Sequence, residues 1–383
     1  MNKKIRISNG GFVTDTGEPF IAHGINMVCK DKTKGYIGGY TPEDFEFLKQ
    51  NGFNLIRLGL IWDGAEPEPG VINEEYFKKI DETIDMAAAA DIPVFLDMHQ
   101  DLYGSVFEDG APEWATITGD CEHIRTELWS ESYLLSAAVQ KAFDNFWSNA
   151  KCTTGTGLRD HYVKLWKYIA GRYAGNPYVV GYDIMNEPFP GSDGSKIFEL
   201  IMDIAGEGGM ASLEDEKKIA ELIGAIAPIT AEFETKVLSP FYSEVGRAVR
   251  EADPDTLLML ESNYFANAAI PTALTPAVYE DGTVIPGQAY APHGYDITVD
   301  TGDYGTGGFE RVGFIFQTIL EGAERIGLPT IIGEWGCYPN AGRAEKEQAK
   351  FLLNLFRQAG IGNVYFDFSH IRDGGILETI KEP

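Results

Sequence analysis

Polar residues that could do chemistry sit at the ends of apolar, β-rich runs in this chain. His99-Gln100-Asp101 closes one run, Asn186-Glu187 another, Glu261 a third, His293 with Tyr295 a fourth and Glu334-Trp335 a fifth, while Arg57 lies within a sixth. One such residue would be unremarkable, because loops begin where strands end. Agreement across six runs points to a single site. Two carboxyl groups about 5 Å apart, one protonated and one ionised, are what cleavage of a glycosidic bond with retention requires. Glu187 and Glu334 are the candidate pair. Arg57 is permanently cationic and suits the ionised partner, to which Tyr295 can add a hydrogen bond. Burial, or the nearby negative charge, would keep the other Glu protonated. His293 and His99 can donate near the acid and the sugar hydroxyls, and Asn186 can bond a sugar 2-hydroxyl. Glu261 either lines this site or caps its strand, and the structural role carries at least equal weight. Neither H-E-x-x-H nor any paired histidine spacing occurs, and His99 and His293 fall on separate runs, so no metal or other cofactor is expected.

Such a set needs a scaffold that brings many strand ends together. Candidate strands run from Ile21 to Val28, Asn54 to Leu60, Ile92 to His99, Val179 to Asn186, Leu257 to Ser262, Gln288 to His293, Thr330 to Glu334 and Asn363 to Ser369. Helical patterns fall at Pro42 to Asn51, Glu74 to Ala90, Leu158 to Tyr173, Phe233 to Ala252, Phe309 to Ile326 and Ala344 to Ala359. Strands alternating with helices pair in parallel, and eight of them predict an α/β fold, a (β/α)8 barrel in one domain covering 1–383. No G-x-G-x-x-G follows the first strand. Long connections follow the third and fourth strands. The first, Gln100 to Gly157, is rich in aromatics; the second, Phe189 to Glu232, holds apolar helical stretches. They read either as helices packed on the barrel or as an apolar-walled cleft above its mouth. The chain stops at Pro383, soon after the eighth strand.

With a net charge of −27 over 383 residues, the chain repels polyanions, which argues against nucleic acid and suits a neutral substrate. The same charge also serves solubility. No apolar run approaches the roughly 18 residues of a membrane span, so stable membrane insertion is not expected. The N-terminal MNKKIRISNGGF turns polar where a signal peptide needs its apolar stretch, and the chain reads as cytoplasmic as given. A secreted protein whose leader was removed would look the same. Cys121 and Cys152 share one long connection and could pair in an exported protein. Oligomeric state is not legible.

The motifs RLGLIW (57–62), DMHQD (97–101), GYDIMNEP (181–188), HGY (293–295) and GEWG (333–336) stand in the order seen in glycoside hydrolase family 5 barrels, which this chain resembles over almost its whole length. It is most similar to the endoglycoceramidase-like members, through HGINMVCK (23–30), HQDLYG (99–104), GAPEWA (110–115), LSPFY (238–242) and YAPHGYD (290–296). The resemblance implies hydrolysis, with retention, of the β-glycosidic bond between glycan and ceramide of a glycosphingolipid. It implies Glu187 as acid/base and Glu334 as nucleophile, with Arg57, His99, Asn186, His293 and Tyr295 in support. Lys30 and Asp101 match positions that bind the glycone, and Trp335 and Phe366 complete the expected substrate contacts. Two departures stand out. VYFDF (364–368) offers Phe366 where the family pattern has a tryptophan platform, and the β-sandwich that usually follows the barrel is not expected in this chain. The substrate alternative is a soluble or aryl β-glycoside. A non-catalytic glycan-binding barrel is a third reading, and the intact carboxylate pair counts against it.

Overall fold

A computed structural model of the chain describes residues 3–206, 216–296, 298–299, 308–373 and 375–381. Part of the second long connection, 207–215, lies outside the described residues. A hairpin of β1 (Ile5–Ser8) and β2 (Gly11–Thr14) precedes β3 (His23–Met27), β4 (Leu55–Ile61), β5 (Val94–His99), β6 (Val179–Asp183), β7 (Leu257–Leu260), β8 (Gln288–Tyr290), β9 (Ile331–Gly336) and β10 (Gly362–Phe366). The last eight pair in parallel in the order β8-β7-β6-β5-β4-β3-β10-β9. Bridges from Tyr290 to Thr330 and from His293 to Glu334 join the two ends. The ring closes, and the fold is the expected (β/α)8 barrel.

The helices are α1 (Pro42–Gln50), α2 (Glu74–Ala89), α3 (Ala137–Trp147), α4 (Leu158–Tyr173), α5 (Asp193–Ala205), α6 (Glu216–Phe233), α7 (Ser239–Ala252), α8 (Gly308–Ile326) and α9 (Arg343–Ala359), with shorter turns between them. Local chemistry sets their ends. Thr41 and Asp44 form a capping box with Pro42 in the first turn of α1, and α9 stops at Gly360, whose φ of +66° suits glycine. The helix expected from Phe233 starts earlier. Backbone is helical from Glu216, passes through a π-turn at Glu234–Leu238 and continues as α7. Pro228 inside α6 and the wide turn break the apolar period that would have revealed it.

Two apolar layers position the site. The outer one fills the space between strands and helices. The inner one, at the bottom of the barrel, gathers Leu55, Phe95, Val180, Leu257, Met259, Ala289, Ala291, Ile331 and Val364 around Ile5. The hairpin was not expected from the sequence. It turns at Asn9-Gly10, both at positive φ, and plugs the bottom with Ile5. Lys3 Nζ fastens it by donating to the carbonyls of Tyr173 and Asn176 at 3.1 and 3.0 Å. From this floor the two-residue period of each strand climbs into charge: Leu55 to Arg57, Phe95 to Asp97 and His99, Met259 to Glu261, Ala291 to His293. The upper half of the barrel is therefore a packed polar layer.

β9 breaks the period where it matters. Its register on β10 moves from Ile332–Asn363 to Trp335–Tyr365, three residues against two, so Gly333-Glu334 forms a bulge. A bulge reverses which side chains face inward. Glu334 thus joins the inner set with Ile331, while Trp335 turns outward.

The aromatics of the first long connection mostly pack on the barrel: Tyr103, Phe107, Tyr133, Phe143, Phe146 and Trp147 are all buried. The four cysteines are free thiols, Cys121 exposed and Cys152 buried, so the pairing left open by the sequence is not formed. Among the described residues, no helix is long and apolar enough to cross a membrane.

Candidate active site

β6 delivers Asn186 and Glu187 to the barrel mouth by ending early. Regular strand stops at Asp183; the Ile184 carbonyl then accepts from Tyr162 Oη at 2.7 Å and Trp166 Nε1 at 3.0 Å, while Asn186 N–H donates to the Met98 carbonyl at 3.1 Å. Glu187 itself adopts a φ of +45°, rare for a residue with a Cβ. Its neighbours hold that conformation. The Glu187 N–H donates to Glu261 Oε2 at 2.8 Å, and Gln100 Nε2 donates to the Asn186 and Glu187 carbonyls at 2.8 and 3.2 Å.

Glu187 Oε1 accepts from Asn267 Nδ2 at 2.7 Å and lies 3.0 Å from His293 Nδ1. Glu334 Oε1 accepts from Arg57 Nη1, and Glu334 Oε2 accepts from Tyr295 Oη at 2.6 Å. A carboxylate oxygen of Glu187, one of Glu334 and a ring nitrogen of His293 all lie within 4.8 Å of one another. The two carboxyl groups are therefore within the spacing of a retaining pair.

Arg57 organises what lies beneath. It is fully buried, with Nε on Asp183 at 2.8 Å and Nη2 on Asp97, Glu261 and Asn186 Oδ1, each at 2.9 Å. Its guanidinium also reaches Asn26 Oδ1 at 3.1 Å. Guanidinium suits this position because its five donors are fixed in one plane and remain charged. Removing one member of such a buried set typically costs about 3–5 kcal/mol, because the partners are left charged and unpaired.

Electrostatics set the two carboxyl groups apart. Burial pushes the Glu187 carboxyl above its ordinary range, against the pull of the His293 charge. Burial acts likewise on Glu334, but His293 and Arg57 outweigh it and, with the Tyr295 hydroxyl, hold the group below its ordinary range. His293 resists its own burial through Glu261 and Glu334, which raise its pKa well above the usual imidazole value. A charged His293 donates through both ring nitrogens. With Glu187 Oε1 already accepting two bonds, Oε2 is the oxygen left to carry a proton. One group can thus give a proton while the other attacks as an anion.

The remaining expected residues fall on one side of the mouth, with one exception. His99 Nδ1 bonds Asp97 Oδ2 at 2.8 Å; burial opposes its charge, yet Asp97 raises its pKa to about 10. Lys30 pairs with Asp101, and its ammonium sits 5.2 Å over the Phe366 ring. Phe366 also lies nearly parallel to His99, with ring centroids 6.5 Å apart. Trp335 is the exception and a correction. It is 0% exposed, donates Nε1–H to Asn363 Oδ1 at 2.9 Å and packs edge-on against Phe356 of α9 and Tyr365 of β10. The β9 bulge turns it into the helix layer, so it lines no substrate path.

Several site residues escaped sequence reasoning. Glu261, left open there, bonds both Arg57 and the Glu187 backbone. Asp97 lay inside a quoted motif, and its place two residues below His99 on one strand face could have exposed it. Asp183 follows the same two-residue rule. Asn26 faces the same interior on β3. Asn267 carried no signal, since it sits on a connection whose path only the fold reveals. That connection is anchored by buried Glu234, which accepts from Asn263 N–H, Asn263 Nδ2 and Thr272 Oγ1 at 2.8–2.9 Å.

Comparison with known proteins gives a consistent set. The Cellulase (glycosyl hydrolase family 5) model matches residues 13–371. The endoglycoceramidase of Cyanea nozakii is 31% identical over 232 residues, 53% of this chain and 45% of that protein. Endoglycoceramidase I of Rhodococcus hoagii (strain 103S) is 32% identical over 183 residues, 46% of this chain and 35% of that protein. The match thus spans less than half the length of these curated relatives. Among solved structures, endo-glycoceramidase II from Rhodococcus sp. in a five-membered iminocyclitol complex superposes with a TM-score of 0.76 at 26% identity, covering 96% of this chain and 79% of that one. The same protein, at 25% identity, matches as its ganglioside GM3 complex (TM-score 0.76, 96% and 80% covered) and as a lactosyl-enzyme intermediate (TM-score 0.74, 96% and 79% covered).

Proposed function

The chain belongs to the Cellulase family, glycosyl hydrolase family 5, and from that premise we propose that it is a retaining β-glycosidase cleaving the bond between glycan and ceramide in glycosphingolipids. The observation that carries the reading is the pair Glu187 and Glu334, held with His293 within 4.8 Å, with surroundings that raise the pKa of the first and lower that of the second. In the first step Glu187 gives its proton to the glycosidic oxygen, Glu334 forms an ester to the anomeric carbon, and the leaving alcohol departs. In the second, Glu187 as carboxylate takes a proton from water, whose oxygen attacks the same carbon and frees Glu334. Arg57 and Tyr295 hold Glu334 ionised and aimed. Asn186, whose Oδ1 is fixed by Arg57 and one N–H by the Gln100 carbonyl, is oriented to meet the sugar 2-hydroxyl. His99, Lys30, Asp101 and Phe366 hold the glycone.

The glycolipid assignment draws support from the relatives, which are named as endoglycoceramidases, and from the ganglioside and lactosyl states in which one of them was solved. A soluble β-glucan would call for rows of aromatic platforms, whereas the aromatics of residues 100–157 mostly pack inward. The experiment is a comparison of lactosylceramide, glucosylceramide and a soluble β-glucan in detergent. Release of intact glycan from a glycosphingolipid, with the β-glucan turned over far more slowly, is the expected result. Preference for the β-glucan would overturn the substrate assignment.

Activity should also be bell-shaped in pH. The competent state needs Glu334 ionised and Glu187 protonated, so kcat/KM rises as pH passes through the lowered Glu334 value and falls as it passes through the raised Glu187 value. A profile that kept rising above neutrality would contradict the assigned roles.

A further inference from the structure

The mouth holds one carboxyl group that the mechanism above does not use. Asp109 lies on the connection after β5, is 1% exposed, and its Oδ1 has no hydrogen-bond partner among the described residues. His99 Nε2 is likewise buried and, among the described residues, makes no hydrogen bond, with Asp101 Oδ2 3.8 Å away. A side-chain oxygen of Asp109, one of Asp101 and a ring nitrogen of His99 all lie within 4.8 Å of one another. Backbone fixes this arrangement. Asp101 N–H donates to the Asp109 carbonyl at 3.2 Å, and Asp63 N–H donates to the Gly110 carbonyl at 2.8 Å. Gly110 has a φ of +115°, and a Cβ there would lie 2.6 Å from Gln100 Cβ and from the Tyr103 carbonyl. The chain must therefore turn on glycine at this point, with Asp109 directly before it.

We propose that Asp109 is a further substrate ligand, which with Asp101 and His99 grips a single hydroxyl of the glycan and makes its binding proton-linked. The inference rests on the glycosidase reading. A hydroxyl has one proton to give and two lone pairs to accept with. It can donate to ionised Asp101 while accepting from His99 Nε2–H and from a protonated Asp109. Once Asp109 ionises, the hydroxyl faces two carboxylates with one proton, and the grip weakens. The groups around Asp109 are Asp101, Lys30, His99, Asp97 and Tyr36. Burial first, and the Asp101 carboxylate second, push the Asp109 carboxyl up to about 7 against the pull of Lys30 and His99. A divalent cation fits this space poorly, because the Lys30 ammonium already neutralises Asp101 and His99 is held protonated.

The test is kcat and KM on 4-nitrophenyl β-lactoside for wild type, Asp109→Asn and Asp109→Ala. Wild-type KM should rise between about pH 6 and about pH 8, as the group titrates. Asp109→Asn, which keeps a donor that cannot ionise, should give a KM flat across that interval. Asp109→Ala should raise KM by about 2- to 10-fold at the lower pH, the scale of one hydrogen bond between neutral partners, with the loss carried by KM rather than kcat. A wild-type pH dependence of KM that survives in Asp109→Asn, or an Asp109→Ala loss carried by kcat, overturns the proposal alone. No turnover by the wild type overturns the glycosidase reading and this proposal with it.

Discussion

Glu334→Gln should abolish turnover of every β-glycoside, whatever its leaving group, with kcat/KM falling by about 10⁵-fold, the scale of losing a nucleophile. The reason lies in the first step. Glutamine fills the same space and can still meet Arg57 and Tyr295, but its amide oxygen is too weak a nucleophile to form the glycosyl ester. No improvement in the leaving group compensates, because the missing event is attack on carbon. The loss must also occur without unfolding. Arg57 retains Asp97, Asp183 and Glu261 as partners, so near-native thermal stability is expected and should be measured beside the rate. A variant that kept more than about a hundredth of wild-type kcat/KM on an activated substrate would remove Glu334 from the role given to it.

Glu187→Gln should show the opposite dependence on leaving group. Removing a general acid costs about 10²–10⁴-fold when the departing oxygen needs its proton. A ceramide alkoxide needs it; a dinitrophenolate does not. The variant should therefore lose about 10³-fold in kcat/KM on glycosphingolipid while the dinitrophenyl glycoside is far less affected. The second step also loses its base, so the glycosyl-enzyme should accumulate and a burst of dinitrophenol should precede slow turnover. Azide, a nucleophile that needs no deprotonation, should restore turnover of the activated substrate and yield the β-glycosyl azide. Equal losses on both substrates, with no burst, would remove Glu187 from the role of acid. Asn267 and His293 would then merely satisfy a buried carboxyl.

Much of this site was legible in the sequence because a parallel barrel converts strand-end residues into neighbours. Arg57, His99, Asn186, Glu187, His293 and Glu334 each end or occupy an apolar run, and the alternation of strands and helices is enough to bring those runs around one mouth. What escaped was of three kinds. Trp335 was misread because a bulge on β9 reverses the inward face between Ile332 and Trp335, and its one local signal, the isolated Gly333 within the strand, does not by itself say that the strand slips there. The bottom hairpin was missed because strands of four residues carry too little periodicity to stand out. Asn267 and Asp109 lie on connections, where proximity follows from the path of the chain rather than from any repeat, and Glu234 lies in a π-turn that interrupts the helical period. The buried ring of Asp97, Asp183 and Glu261 around Arg57 was half visible. It obeys the two-residue rule but calls for acidic residues in an interior, which propensity alone argues against.

The central claim is that Glu334 bonds covalently to the sugar. It is tested most directly by incubating the wild type with an activated 2-deoxy-2-fluoro-β-glycoside, which slows breakdown of the glycosyl-enzyme, and mapping the modified peptide by mass spectrometry. The predicted result is one fluoroglycosyl unit per chain, carried on Glu334. An adduct on any other residue, or release of the leaving group with no adduct at all, would contradict it.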